Sequence, residues 1–204
     1  MTAPLRVGVL LSGSGTNLQA ILDGARGSGY EVAVVLSDRA GAFGLERARN
    51  AGVSAVHVDP KVHGNREGFN EALADSLREH DVELVCLAGF MRILAPNFIK
   101  AFEGRIINIH PALLPAFPGA HAVRDALDWG ARVTGSTVHF ADEEVDHGPI
   151  LLQEAVPILP GDDEASLHER IKEVEHRLYP AAIRLIAEGR VRIAGRRVVI
   201  EPEE

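Results

Sequence analysis

Residues 5–17 have the sequence LRVGVLLSGSGTN, an apolar run that ends in a loop rich in glycine and serine. Residues 5–11 have the apolar, β-branched composition of a buried strand. An amphipathic helix is predicted to follow over residues 17–25. A buried strand that enters a helix through a short loop is the opening unit of an α/β protein, so this stretch predicts the fold class.

The same alternation of short apolar strands and helices continues for about a hundred residues. Further strands are predicted at 31–37, 55–58, 82–87 and 105–109, and further helices at 43–51, 66–80 and 122–129. Such alternation is typical of a mostly parallel sheet with helices on both faces. The sequence therefore predicts an α/β fold of that kind.

The pattern changes after residue 130. Two predicted strands, 132–140 and 150–156, flank an acidic turn and should form an antiparallel addition to the sheet. The last helix carries an apolar stripe from Leu167 to Leu185, which Pro180 should kink or split. Residues 190–200 should form a terminal hairpin with a mainly structural role. Without a repeat or a linker, the sequence predicts a single domain over residues 1–204.

The composition excludes several classes of partner. The chain has 204 residues, of which 46% are hydrophobic, and a net charge of −8, which argues against nucleic acid or an anionic membrane as the main partner. Its single cysteine, Cys86, lies in an apolar run and is expected to be a buried structural thiol. The apolar run near the N-terminus is too short for a signal peptide or a membrane span, so a cytoplasmic location is expected.

The loop of residues 12–17, SGSGTN, is suited to binding an anion. Glycines allow close approach of backbone N–H groups, and the following helix N-terminus adds a partial positive charge. A dinucleotide fingerprint would need a third glycine where Leu18 stands, and the Gly-Lys-Ser/Thr of a P-loop is absent. The alternative is a tight turn in which Ser14 or Thr16 caps the helix. We expect a monophosphate site.

The segment of residues 106–119, IINIHPALLPAFPG, places Asn108 and His110 two residues apart on a predicted strand, so both side chains should point the same way. Asp146 follows in the turn DEEVDHGP. Each of the three residues alone has a structural explanation as a cap, a turn or a bonded core histidine.

Together the three residues predict an acyl-transfer site. Asn108 can donate to an oxyanion, His110 can move a proton, and Asp146 can orient the imidazole and raise its pKa. Ala112 stands where a nucleophile would follow Pro111, which favours direct transfer without an acyl-enzyme. The nine histidines are scattered and form no metal motif, so no metal is expected.

The segment Asn108-Ile-His110-Pro-x-Leu-Leu-Pro115, with Asp146 in a D-x-G-P turn, resembles the folate-dependent formyltransferases. Segments 11–19, 87–94 and 175–180 are similar too, so the resemblance covers nearly the whole chain. It implies a Rossmann-like formyltransferase fold and transfer of the formyl group of 10-formyltetrahydrofolate to the amino group of 5-phosphoribosylglycinamide. The products would be formylglycinamide ribonucleotide and tetrahydrofolate, in de novo purine biosynthesis. Neither a metal nor a nicotinamide is implied.

The resemblance also implies roles for individual residues. Asn108, His110 and Asp146 match catalytic positions. Positions that bind phosphoribosylglycinamide are matched by Gly15, Thr16 and Asn17 and by Lys172, Glu173, Val174 and Glu175. Folate-contacting positions are matched by Arg66, Met91, Arg92, Ile93, Leu94, Asn108, Asp142, Glu143, Glu144, Val145 and Asp146. From periodicity alone, residues 91–94 would be interpreted as ordinary core packing.

Residues 1–100 would accordingly form the half that binds phosphate and substrate, and residues 101–204 the catalytic and folate-binding half. The expected partners are small molecules, with no nucleic acid and no membrane, and the protein is expected to be a monomer or a homodimer. Three positions depart from the family pattern, which often has serine at Ala112, lysine at Ala116 and a small residue at His147. These departures concern the shape of the folate pocket.

Three other classes of protein are consistent with parts of the sequence, the first being other enzymes with the formyltransferase fold. Initiator-tRNA formyltransferases and formyltetrahydrofolate deformylases share the resemblance but carry an extra domain that does not fit in this chain. A nucleotide-binding oxidoreductase would explain the glycine-rich loop and leave Asn108, His110 and Asp146 without a role. A non-catalytic binding protein would keep the pocket and lack turnover.

Overall fold

The chain consists of two units, and the first of them alternates strands and helices. The computed structural model describes residues 3–203, and the chain divides into two compact units, one ending at Ile107 and the other beginning at Asn108. The first unit contains, in chain order, β1 (Leu5–Leu11), α1 (Thr16–Gly24), β2 (Tyr30–Ser37), α2 (Phe43–Asn50), β3 (Ser54–His57), a 3₁₀ turn (Pro60–Val62), α3 (Arg66–Glu79), β4 (Leu84–Leu87), α4 (Pro96–Ala101) and the start of β5 (Ile106–His110). That both units act as a single domain stays a prediction.

The strands of the first unit are parallel and lie in the order β3-β2-β1-β4. The connections through α1 and α2 build the sheet outward from β1 to β3, and the connection through α3 returns to the other side of β1. Because crossovers between parallel strands are right-handed, this reversal puts α3 on the opposite face of the sheet from α1 and α2. The point of reversal, at the carboxyl ends of β1 and β4, is where ligands bind in open sheets of this kind.

The second unit is antiparallel in character. It contains the end of β5, then α5 (Ala122–Asp128), β6 (Val133–Phe140), β7 (Ile150–Pro157), α6 (Glu164–Ala187), β8 (Val191–Ala194) and β9 (Arg197–Ile200). Strands β6 and β7 pair antiparallel, and β8 and β9 form a separate antiparallel hairpin. Helix α6 packs on β6 and β7, and Leu167, Ile171 and Val174 of its apolar stripe form a core cluster with Val123 of α5 and Val156 of β7.

The predicted mostly parallel sheet with an antiparallel addition is confirmed, as is the terminal hairpin. Pro180 does not split the last helix, which continues from Glu164 to Ala187 and begins with a capping box between Asp163 and Ser166. Helix α4 was not predicted, because six residues are too few to establish an apolar period.

Two properties of the chain follow from burial and helix composition. Cys86 is fully buried in β4, in agreement with a structural thiol. None of the helices between residues 3 and 203 is both long enough and apolar enough to cross a membrane.

Candidate active site

Strand β5 is apolar except for two polar residues, Asn108 and His110. Asn108 is half-buried and His110, the last residue of the strand, is buried, while Ile106 and Ile107 enter the core. Because side chains alternate along a strand, Asn108 and His110 lie on the same side. The predicted pairing of an amide with an imidazole is therefore present.

Asp146 reaches both side chains from the loop between β6 and β7. Its Oδ2 lies 3.3 Å from His110 Nδ1, and its Oδ1 accepts from Asn108 Nδ2 at 3.3 Å. Asp146 has φ of 54°, a left-handed conformation uncommon outside glycine, asparagine and aspartate. The backbone N–H of Gly119 donates to its Oδ2 at 2.8 Å and helps to hold the carboxylate. The structure brings the three predicted catalytic residues together.

Both ring nitrogens of His110 face hydrogen-bond acceptors. Nε2 lies 2.8 Å from the carbonyl oxygen of Phe117, so Nε2 carries a proton and donates it, since a carbonyl can only accept. Burial lowers the pKa of His110 below its ordinary value, although the charge of Asp146 and the Phe117 carbonyl oppose the shift. The expectation that Asp146 raises this pKa therefore describes one contribution, and desolvation outweighs it.

The carboxylate of Asp146 is kept ionised. Burial alone would raise its pKa, but the Gly119 N–H and the positive charge that His110 and His139 can carry together lower the pKa below the ordinary aspartate value. A stable negative charge at this position can hold an imidazole in a fixed orientation and balance a positive charge on it. This is the arrangement expected of a residue that positions a proton-transfer histidine.

The glycine-rich loop ends in an uncapped helix. Gly15 is the N-cap of α1 with φ of 71°. Among residues 3–203 no side chain accepts a hydrogen bond at this end, so neither Ser14 nor Thr16 caps the helix. The first N–H groups of a helix have no acceptor within the helix, so a helix N-terminus without a side-chain cap is suited to an anion. Two residues of α2 hold the carbonyl groups of this loop. The Gly44 N–H donates to the carbonyl oxygen of Gly13 at 3.1 Å, and Arg47 Nε donates to the carbonyl oxygen of Ser14 at 2.9 Å.

A buried carboxylate joins the start of this loop to the segment of residues 91–94. Asp38, whose side chain is 3% exposed, accepts from Ser12 Oγ at 2.6 Å and from Arg92 Nε at 2.7 Å. Ser12 Oγ in turn accepts from the backbone N–H of Met91 at 2.9 Å. Asp38 was not among the predicted site residues, because a lone aspartate after a strand has no distinctive spacing, and Ser12 was predicted only as part of the anion-binding loop.

Residues 91–94 form an exposed loop and not part of the core. The Met91 side chain is 65% exposed and that of Ile93 62%, so the interpretation from periodicity as core packing is wrong. Exposed apolar side chains beside a fixed arginine suit the binding of a flat organic ring. Arg66, at the start of α3, is also exposed and pairs with Glu67 at 3.8 Å.

The acidic loop of residues 142–146 has its own internal bonds. Asp142 accepts from the N–H of Glu144 at 3.0 Å and lies 3.1 Å from Nδ1 of His147, while Glu143 and Val145 are exposed. His147 therefore pairs with Asp142 and not with Asp146. Arg196, in the turn of the terminal hairpin, donates to the carbonyl of His147 at 2.6 Å. The hairpin thus also contacts the loop that carries Asp146.

The predicted substrate-binding group on α6 is chemically mixed. Lys172 pairs with Glu169 at 2.6 Å, Glu173 is exposed, and Glu175 is buried. Val174 packs in the core cluster of the second unit. The polar side chains of this group that reach the surface are therefore those of Lys172 and Glu173.

His139, near the end of β6, was missed by sequence reasoning. Its Nε2 lies 3.1 Å from Asn108 Nδ2 and 3.6 Å from Asp146 Oδ1, and its side chain is 2% exposed. The available signal was a histidine two residues after Thr137 at the end of an apolar strand, just before the acidic loop. Phe117 and Gly119 were also missed, because they contribute only backbone atoms.

Within residues 3–203 no group of three or more histidine, cysteine, aspartate or glutamate side chains is placed to hold a metal ion. The expected independence from metal stays a prediction.

Comparison with known proteins links this geometry to one family. Residues 5–183 match the family model described as formyl transferase. The chain is 46% identical over 202 residues to phosphoribosylglycinamide formyltransferase from Mycobacterium tuberculosis, covering 96% of this chain and 91% of that protein. It is also 50% identical over 194 residues to the trifunctional purine biosynthetic protein adenosine-3 of Gallus gallus, covering 94% of this chain. The chain spans 19% of that longer protein.

Solved structures agree with these matches. The crystal structure of glycinamide ribonucleotide transformylase 1 from Symbiobacterium toebii superimposes with a TM-score of 0.97 at 57% identity, covering 99% of this chain and 96% of that one. Phosphoribosylglycinamide formyltransferase from Anaplasma phagocytophilum superimposes with a TM-score of 0.92 at 40% identity, covering 98% and 96%.

Proposed function

The chain belongs to the formyl transferase family, and on this premise we propose that it transfers a formyl group from 10-formyltetrahydrofolate to the amino group of 5-phosphoribosylglycinamide. The products are formylglycinamide ribonucleotide and tetrahydrofolate, and the reaction is a step of purine biosynthesis. The observation that carries the proposal is the buried cluster in which Asp146 bonds Asn108 and faces His110 Nδ1 at 3.3 Å.

The reaction needs no covalent enzyme intermediate. The neutral amine attacks the formyl carbon, and a new carbon–nitrogen bond forms while the bond from that carbon to N10 of the folate breaks. One amine proton is lost and one proton is gained by N10, so the reaction balances without a further reactant. Ala112, which is fully buried after Pro111, supplies no competing nucleophile.

His110 acts on the oxygen of the formyl group. In the resting protein its Nε2–H donates to Phe117, so the formyl oxygen takes the place of that carbonyl as the acceptor. When His110 takes up a second proton, at Nδ1, Asp146 Oδ2 faces that N–H at 3.3 Å and balances the positive charge. Positioned donors at a developing oxyanion are worth about 100-fold or more in rate.

The uncapped N-terminus of α1 binds the substrate phosphate through backbone N–H groups of Gly15, Thr16 and Asn17. Lys172, Glu173 and Glu175 contact the rest of this substrate. The folate is bound by Arg66, by residues 91–94 and by the loop of residues 142–146, with Met91 and Ile93 supplying exposed apolar surface. A cytoplasmic location, independence from metal, and a monomeric or homodimeric state remain part of the proposal.

The test is to mix purified protein with 10-formyltetrahydrofolate and to follow the folate absorbance with and without phosphoribosylglycinamide. Rapid deformylation only with the amine, together with formylated product, is the expected result. Deformylation that does not depend on the amine would show that water is the acceptor, and an absence of change would show that the chain only binds its ligands or uses another acceptor. Either of these results would overturn the proposal.

A further inference from the structure

Both ring nitrogens of His139 lie within hydrogen-bond distance of a polar atom. Its Nδ1 lies 3.0 Å from the carbonyl oxygen of Phe140 and its Nε2 lies 3.1 Å from Asn108 Nδ2. A carbonyl oxygen only accepts, so Nδ1 must carry the proton. A neutral imidazole has one N–H, and Nε2 of His139 is therefore an acceptor.

This tautomer fixes the direction of the Asn108 amide. An acceptor at Nε2 requires the NH₂ group of Asn108 to face His139, since the reverse orientation would place the amide oxygen against a lone pair. The second N–H of the same group donates to Asp146 Oδ1 at 3.3 Å. Both amide protons are thus held in the resting protein, and the amide oxygen is turned away from His139 and Asp146.

We propose that His139 is a positioning residue for formyl transfer, because its Nε2 holds the Asn108 NH₂ group in the orientation from which one N–H can be given to the formyl oxygen. The inference rests on the proposed function. The bond from Asn108 to Asp146 is the longer of the two, and the formyl oxygen takes over that N–H. The bond to His139 keeps the amide from rotating while this exchange happens.

A purely structural role for His139 makes different predictions. A buried histidine that only fills space would act on stability, and its loss would affect catalysis equally whether or not Asn108 is present. A positioning role acts through Asn108, so its effect should disappear when Asn108 is removed. The two roles are separated by a double-mutant cycle together with a direct measurement of the tautomer.

The first measurement is the tautomer of His139 in resting wild-type protein, by nitrogen NMR with labelled histidine and with His139→Gln to assign the signal. The expected result is a proton on Nδ1 and none on Nε2. A proton on Nε2, or a mixture of the two tautomers, would overturn the inference. This result does not depend on turnover, so it stays interpretable if the proposed function fails.

The second measurement compares kcat and both KM values for His139→Phe and His139→Gln, with thermal unfolding as the check on folding. Phenylalanine keeps a ring and removes the acceptor, so kcat should fall about 10-fold or more while each KM changes less than about 3-fold. Glutamine can place its amide oxygen near the position of Nε2, so His139→Gln should retain a clearly higher kcat than His139→Phe.

In an Asn108→Ala background, the loss caused by His139→Phe should shrink to less than about 3-fold. An undiminished loss in that background, or equal kcat values for folded His139→Phe and His139→Gln, would overturn the inference. His80 is the matched control, because its ring nitrogens bond to Ser76 and Ser54. His80→Phe should leave kcat within about 2-fold of wild type, whereas a loss equal to that of His139→Phe would overturn the inference.

Discussion

Gly15 packs so closely against Gly44 that a Cβ built on Gly15 would lie 2.6 Å from the Cα of Gly44. Gly15 also has φ of 71°, a left-handed backbone conformation that residues other than glycine adopt only at a cost in free energy. The end of the glycine-rich loop therefore requires glycine at position 15, and the start of α2 requires glycine at position 44, because a Cβ there would lie 2.4 Å from the Leu11 side chain.

Gly15→Ala should destabilise the protein by about 2–4 kcal/mol, because the added methyl strains the backbone and displaces α2. It should also weaken binding of phosphoribosylglycinamide and leave folate binding nearly unchanged. Denaturant unfolding and calorimetry measure the two effects. Gly13→Ala is the control for stability, since a Cβ there would have none of the described parts of the chain within 4 Å beyond its own neighbours in sequence. Equal destabilisation by the two variants would contradict the packing argument.

Asp38→Asn should disrupt the link between the phosphate loop and residues 91–94. The substituted amide can accept from Ser12, but its NH₂ group would face the Arg92 donor, so the free energy of unfolding should fall by about 1–3 kcal/mol. Asp75→Asn is the control, because it breaks an exposed pair with Arg78 of the same 2.7 Å length and should cost less than about 1 kcal/mol. Similar losses in both variants would show that burial of Asp38 does not matter.

Arg196→Ala should raise the KM for the folate by about 2–5-fold with little change in kcat, because it releases the His147 carbonyl and loosens the acidic loop. Arg192→Ala removes another arginine of the same hairpin, one that lies 4.0 Å from Glu201, and serves as the control. If the two variants behave alike, or if only the KM for phosphoribosylglycinamide changes, the contact with His147 does not support the folate site.

The pKa shifts predict the pH dependence of stability. The pKa of His110 is lowered in the folded state, so on acidification the unfolded chain takes up a proton before folded His110 does, and stability falls below about pH 6.5. Asp146 also has a lowered pKa, but its loss of stability begins only below about pH 4.

Denaturant unfolding of His110→Gln should therefore show a smaller loss of stability between about pH 7 and pH 5 than wild type does. Some slope should remain, because burial and Lys172 also lower the pKa of His168. An unchanged slope in the variant would show that His110 does not titrate with folding.

The sequence predicted best those features of the fold that follow from a repeated pattern of side chains. The strand at residues 5–11 was predicted with its observed ends, because an apolar run followed by glycines has few other interpretations. The placement of Asn108 and His110 on one side of β5 follows from the two-residue period of a strand. Their approach to Asp146 was a hypothesis that needed the fold to test it.

What the sequence could not show are contacts made by isolated residues and by backbone atoms. His139 bonds to Asn108, which is 31 residues away, and no spacing rule connects the two. Phe117 contributes only a carbonyl, and its identity gives no hint of that role. The exposure of Met91 and Ile93 was also hidden, since an apolar run looks the same in a core and in a ligand-binding loop.

The turnover of His110→Ala and Asp146→Asn tests the central claim most directly. Both variants should lose about 100-fold or more in kcat for amine-dependent deformylation of 10-formyltetrahydrofolate, with smaller changes in both KM values, because they remove groups that act on the transition state. Calorimetry should show that each folded variant still binds both ligands. Turnover near that of wild type in either variant would contradict the assignment of His110 and Asp146 to the reaction.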